Sequence, residues 1–188
     1  MTVGREPVNL LFVCTANQCR SPMAAAIARY ELTRRAVPGQ VSSAGFLEGG
    51  HPAASGAIRA CADRGLDISG HASTQVDPDG LARADLIVTM EGTHVLDLAA
   101  IDPVAARRTI PFGVAVEEAE RSSTAPLGPD GLREWVEATR RDLATVLDPR
   151  HDVPDPMGRP TRRFRQTADL LAQGVGRLFD SWFGPIDG

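Results

Sequence analysis

With 188 residues, 43% hydrophobic and 23% charged, the chain is long enough for one domain with a substantial core and too apolar to be disordered. A formal net charge of −4 argues against a general nucleic-acid binder. Three cysteines (Cys14, Cys19 and Cys61) make no disulfide framework, and no Cys/His cluster has metal-ligand spacing, so neither a metal nor a cofactor is expected. No apolar run could span a bilayer and the N-terminus lacks a signal-peptide core, so no membrane partner and a reducing cytoplasm are expected.

Residues 1–7 read as a loose lead-in. The uniformly apolar run Val8 to Val13 suits a parallel strand buried on both faces. Pro22 and the run Ala24, Ala25, Ala26, Ile27 and Ala28 suit a helix start, predicting a helix over 21–36 that ends at Val37-Pro38-Gly39. Cys14 to Ser21 therefore lies between a strand end and a helix N-terminus, where backbone N–H groups of Thr15, Ala16, Asn17, Gln18 and Cys19 can converge on an anion. The same field favours the thiolate of Cys14 as a nucleophile. Arg20 adds a forked cation matched to two phosphate oxygens, and Ser21 can donate to the Cys14 sulfur. Asn17 tolerates the left-handed backbone a tight loop needs. The nucleotide-binding pattern G-x-x-x-x-G-K-[ST] is absent.

Further along, a strand is predicted over 40–44, a helix over 53–64, a short helix over 77–82, a buried strand over 84–90, a helix over 93–99 and a strand over 108–112. Strands alternating with helices predict a three-layer α/β sandwich with a four-stranded parallel sheet. Ligands of such sheets bind beyond the carboxyl ends of the strands, where Cys14 and also Glu91 fall. Residues 121–129 read as a loop and 130–146 as one amphipathic helix, with Leu132, Trp135, Val136, Leu143 and Leu147 on or near its apolar face. The final helix spans 161–183, with a stripe of Phe164, Ala168, Leu171, Val175, Leu178 and Trp182. Cys61 reads as a small buried hydrophobe on a helix, and His51, His94 and His151 as surface residues.

The stretch V-C-T-A-N-Q-C-R-S-P, with Cys14-x5-Arg20-Ser21-Pro22 after an N-terminal strand, resembles the low-molecular-weight protein tyrosine phosphatase family, which also contains thioredoxin-coupled arsenate reductases. The resemblance implies a phosphotyrosine protein phosphatase I-like fold over 1–188, with 121–147 as a helical insertion that either borders the site or only elaborates the surface. It implies a phosphate loop of Thr15 to Ser21, with Ser43 and His71 supporting Asn17 and Ser21. It also implies that Cys19 is a redox partner of Cys14, the alternative being a packing role beneath the loop. Ala16 stands where the family more often has glycine, and must accept that backbone or shift the loop.

The family carries its general acid in an Asp-Pro loop just before the C-terminal helix. Asp-Pro occurs at Asp77, Asp102, Asp148 and Asp155, and only Asp155-Pro156 has the preceding Val-Pro and the following glycine. Asp155 is therefore the expected acid, with Asp152 the next candidate. Met157 and Gly158 replace the aromatics that often wall the family's cleft, leaving Phe46 or Trp135 to do so from elsewhere. The run Arg159, Arg162, Arg163, Arg165 reads as a solvated helix start or as a greeting for an acidic substrate. The expected activity is hydrolysis of a phosphate monoester, a phosphotyrosine protein or a small molecule, through a phosphocysteine. The alternatives are arsenate reduction with a small thiol and a non-catalytic module that binds phospho-residues.

Overall fold

A computed structural model describes residues 7–121, 127, 129–139 and 142–186. Four parallel strands, β1 (Val8–Cys14), β2 (Gly39–Gly45), β3 (Leu86–Thr89) and β4 (Thr109–Pro111), form one sheet in the order β2-β1-β3-β4. β1 is central and buried on both faces, and its side chains alternate between two cores. Leu10, Phe12 and Cys14 face the larger core, built with α1 (Arg20–Arg34), α2 (Ser55–Ala62), α5 (Phe112–Arg121) and α8 (Thr161–Phe183). Leu11 and Val13 face a smaller one with Leu81 of α3 (Pro78–Arg83) and Leu98 of α4 (Thr93–Ile101). This is the expected three-layer sandwich. Because the chain leaves β1 in one direction for β2 and in the other for β3, the topological switch lies between β1 and β3.

Most element boundaries agree with the sequence reading to within a few residues, and α8 has the expected limits. Its whole predicted stripe is buried, with Trp182 inaccessible at the centre of an aromatic cluster with Phe179, Phe183 and Trp135.

Two stretches differ. The helix α5 was not foreseen, because Phe112 to Arg121 follows a three-residue strand with no connecting residue between them. The single helix expected over 130–146 is two, α6 (Pro129–Ala138) and α7 (Leu143–Val146), the second begun by Asp142, whose carboxylate accepts from Thr145 N at 2.9 Å. Leu132, Trp135 and Val136 are buried as expected, but Leu143 is exposed because α7 is a separate turn with its own orientation. Of the loop expected over 121–129, positions 122–126 and 128 lie outside the described residues.

Candidate active site

The site is built on the carboxyl ends of β1 and β3. Cys14 is the last residue of β1, paired with Gly45 of β2, and the chain then turns through Thr15–Cys19 into α1. Asn17 takes the left-handed conformation expected of it (φ 51°). Ala16 keeps a negative φ, so it bears no strain where the family more often has glycine. Among the described residues no backbone N–H of Thr15 to Cys19 donates to a protein acceptor. Five donors in one turn, at the start of a 15-residue helix, form a concavity suited to an oxyanion.

The outer wall of the loop is pinned on every side. Phe46 N and Leu47 N donate to the Thr15 carbonyl at 2.8 and 3.2 Å, and Ala54 N donates to that of Gln18 at 2.8 Å. His71 Nε2 donates to the Asn17 carbonyl at 2.7 Å, which requires the Nε2–H tautomer or the imidazolium. Gly45 lets β2 press against the loop, since a Cβ there would lie 2.7 Å from Asn17 N.

Inside the wall, Asn17 Oδ1 accepts from Thr74 N at 2.8 Å while its Nδ2 donates to Ser21 Oγ at 2.8 Å. That leaves the single hydroxyl proton of Ser21 for the Cys14 sulfur at 3.0 Å or the Ala44 carbonyl at 3.3 Å. A thiolate, as a charged acceptor, would win that proton. The structure therefore brings Cys14, Asn17, Ser21 and His71 together as expected. Ser43 is different: it makes no hydrogen bond to Asn17 or Ser21 among the described residues, and its neighbour Ala44 supplies a backbone carbonyl instead. Thr74, which no sequence signal marked, supplies the remaining donor.

Arg20 is 2% exposed, and a buried guanidinium needs anionic partners. Its Nη1 donates to the Glu91 carboxylate and to the Val153 carbonyl at 3.1 Å. Its Nη2 donates to Asp155 Oδ2 at 2.9 Å and to Thr15 Oγ1 at 3.3 Å. Glu91 follows β3, so the pairing of β1 with β3 is what brings it to the arginine.

His94, expected on the surface, is 4% exposed. Its Nε2 sits 3.2 Å from Thr15 Oγ1, its ring packs on Phe46 with centroids 5.2 Å apart, and Nδ1 is buried without a partner. Burial lowers its pKa against the opposing pull of Glu91. Neutral His94 thus contributes stability that is full above 6.5, the ordinary imidazole value, and is lost as pH falls below it, because the unfolded chain takes up the proton first. An NMR titration should show the His94 ring still neutral below pH 6.5; a midpoint at or above that value would mean that Glu91 outweighs burial.

The loop before α8 separates the candidate acids. Asp148 caps the short 3₁₀ turn Pro149–His151, accepting from Arg150 N at 3.0 Å. Asp152 Oδ1 accepts from Gly92 N at 2.8 Å, tying this loop to the turn after β3. Only Asp155 reaches Arg20, and its side chain is 43% exposed. Met157 N donates to its Oδ1 at 3.0 Å, which fixes the carboxylate's orientation. Val153 N donates to the Met90 carbonyl at 2.8 Å, so the loop is laced to the end of β3.

His151, also expected on the surface, is 6% exposed and bridges the Thr145 carbonyl at 3.0 Å and Glu117 at 2.9 Å. That hydrogen bond holds the Glu117 carboxyl below its usual range. His51 is exposed, as expected. α7 reaches the same region, since a Cβ on Gly92 would meet the Val146 carbonyl at 2.0 Å. The segment therefore abuts the turn that carries Glu91. Of the two aromatic candidates, Trp135 is buried against Trp182, whereas Phe46 stands beside the loop.

A family model described as low molecular weight phosphotyrosine protein phosphatase matches residues 9–125. Among curated relatives, the low molecular weight protein-tyrosine-phosphatase Etp of Escherichia coli K12 is 36% identical over 115 residues, 60% of this chain and 74% of that protein. A protein-arginine-phosphatase of Geobacillus stearothermophilus is 32% identical over 144 residues, 76% of this chain and 93% of that protein. The crystal structure of a low molecular weight protein tyrosine phosphatase from T. tengcongensis superposes with a TM-score of 0.70 at 27% identity, covering 92% of this chain and 98% of that one. A model match over more than half the chain, a relative aligned over nearly its whole length and a shared fold agree: the chain belongs to the low molecular weight phosphotyrosine protein phosphatase family.

Proposed function

We propose that the chain hydrolyses phosphate monoesters through a phosphocysteine on Cys14, with phosphotyrosine in a protein as its substrate. One observation carries the reading: the Cys14 sulfur, 3.0 Å from Ser21 Oγ, fronts a turn of unengaged N–H groups whose arginine reaches across to Asp155. In the first step the thiolate attacks phosphorus, the bond to the leaving oxygen breaks, and protonated Asp155 gives its proton to that oxygen. In the second, water attacks the phosphocysteine, Asp155 takes a proton from it, and phosphate leaves with the thiolate restored. The N–H groups and the Arg20 fork bind the charge spread over the equatorial oxygens. A phosphoryl oxygen at Nη2 replaces the Asp155 oxygen there, which frees the carboxyl to face the leaving group. Phe46 offers the one aromatic wall beside the loop among the described residues.

Turnover of p-nitrophenyl phosphate and of phosphotyrosine peptides tests the reading; binding without turnover would make the chain a phospho-residue module. Phosphoarginine peptides belong in the same assay, because Met157 stands where aromatics often favour a phenolic substrate. Arsenate reduction needs two electrons from further thiols. Cys61 is poorly placed to relay them, being inaccessible on α2 with its thiol pushed up to about 11 by burial. Arsenate loss with an added small thiol checks that route. The cytoplasm is the proposed compartment, since all three cysteines are free thiols. No helix among the described residues is long and apolar enough to cross a membrane.

Cys19 is the proposed redox partner. Burial, with Asp155 and Cys14 nearby, pushes its thiol far up, so peroxide oxidises Cys14 first. The Cys14 sulfenic acid then condenses with the Cys19 thiol, releasing water and forming a disulfide that thiols reverse. After mild peroxide and dithiothreitol, wild type should regain activity and Cys19→Ser should recover poorly. Equal recovery, with no Cys14–Cys19 disulfide by mass spectrometry, would leave Cys19 as packing beneath the loop.

A further inference from the structure

Beside Asp155, on the side of the loop that faces α8, lies a groove of about 390 Å³ lined by Pro154, Pro156, Arg159, Arg163 and Gln166 as well as Asp155 itself. Its rim is cationic in a chain whose net charge is −4. Arg159 and Arg162 are exposed and have no side-chain partner among the described residues. Arg163 bonds only the neutral Gln166, at 3.1 Å, and Arg59 of α2 only the Thr161 hydroxyl, at 3.4 Å. Other arginines nearby are matched, exposed Arg165 with Asp63 and half-buried Arg64 with Asp169.

The position of these cations opposes local stability. Arg162 and Arg163 occupy the first turn of a 23-residue helix that has no acidic residue there and no side-chain cap, so they face the positive end of its dipole. Arg159, Arg162, Arg163 and Arg59 have no ion-pair partner among the described residues, and the two in the first turn of α8 face a dipole that repels them, a departure from local preference of the kind found where a ligand supplies the missing charge. Phosphate of the reacting residue is held elsewhere, by the Cys14 loop, so the anion for this groove belongs to another part of the same substrate.

We propose that the groove is a subsite for an acidic segment of the phosphoprotein substrate, taking aspartate or glutamate side chains adjacent in sequence to the phosphorylated residue. The proposal rests on the phosphatase reading. Carboxylates lying against Pro154 and Pro156 would meet Arg159 and Arg163 in forked hydrogen bonds, with Arg162 and Arg59 strengthening the field behind them. Exposure and salt limit the gain, so the preference is modest, about 10-fold.

The experiment compares two phosphotyrosine peptides that differ only in flanking residues, glutamates in one and glutamines in the other, alongside p-nitrophenyl phosphate. Wild type should show a kcat/KM about 10-fold higher for the acidic peptide at low salt, and the preference should shrink as added salt shortens the screening length. In an Arg159→Ala/Arg163→Ala variant the acidic-to-neutral ratio should fall to within about 2-fold of unity. Equal kcat/KM for the two peptides in wild type, or a ratio unmoved by salt, overturns the subsite while the phosphatase reading stands. Failure to turn over either peptide or p-nitrophenyl phosphate overturns both. Tight binding to phosphatidylserine vesicles without preference between the peptides would assign the groove to a membrane surface and overturn the proposal.

Discussion

Cys14→Ser is expected to leave a folded protein without measurable phosphatase activity, a loss of ~10⁴-fold or more. The serine oxygen is close in size to the sulfur it replaces and inherits the contact to Ser21 Oγ, so the buried strand end keeps its packing and its hydrogen bond. Its hydroxyl stays protonated where a thiol ionises, and among the described residues its only side-chain hydrogen-bond partner is another hydroxyl, which is no general base. The measurement is turnover of p-nitrophenyl phosphate by a variant whose circular dichroism and melting temperature match wild type. Appreciable turnover in that variant would remove Cys14 from the nucleophile's role.

Asp155→Asn is expected to lower kcat by about 10²-fold or more for substrates with poor leaving groups, and by less where the leaving group is acidic. Asparagine keeps the shape and one acceptor for Met157 N and Arg20, so orientation survives while proton transfer does not. The contrast is with Asp152→Asn. There the side chain accepts a hydrogen bond from Gly92 N, a task the asparagine oxygen also performs, and turnover should change little. If the leaving-group dependence appears in Asp152→Asn and not in Asp155→Asn, the general acid lies three residues earlier. The gap between the two variants also tests whether the Arg20 contact identifies the acid, since Asp155 alone of the three candidates makes it.

The Cys14 loop was legible because its information is local. A strand end, a left-handed asparagine, an arginine and the start of a helix lie within eight residues, and the chain's own stereochemistry folds them into one concavity. The stripe of α8 was legible for the same reason: one helix of 23 residues repeats a period that buries the face from Phe164 to Trp182. α5 was missed because a three-residue strand passes directly into it, with no loop residue between Pro111 and Phe112 to separate the two periodicities.

The acid and its surroundings were only half legible. By position before the last helix the sequence favoured Asp155, then Asp152, over Asp148, but Asp152 and Asp155 are told apart only by what they touch: Gly92 N for one, Arg20 for the other. His94 and His151 looked like surface residues because polar side chains in helical or turn segments usually are. Their burial follows from partners distant in sequence, Thr15 and Phe46 for the first and Glu117 for the second. Trp135 and Phe46 were equivalent as possible walls until α6 packed one against Trp182 and the end of β2 set the other beside the loop.

What this sequence determines by itself, then, is the cysteine proposed as nucleophile, the loop around it and the layered α/β architecture, all encoded in short runs and their periodicity. Which carboxylates reach Arg20 was decided by tertiary structure alone. Glu91 lies 71 residues from it and Asp155 lies 135, and no local preference couples residues that far apart. They meet because β1 and β3 are parallel neighbours and because the loop before α8 is bonded to the end of β3, and the burial of Arg20 there demands negative partners.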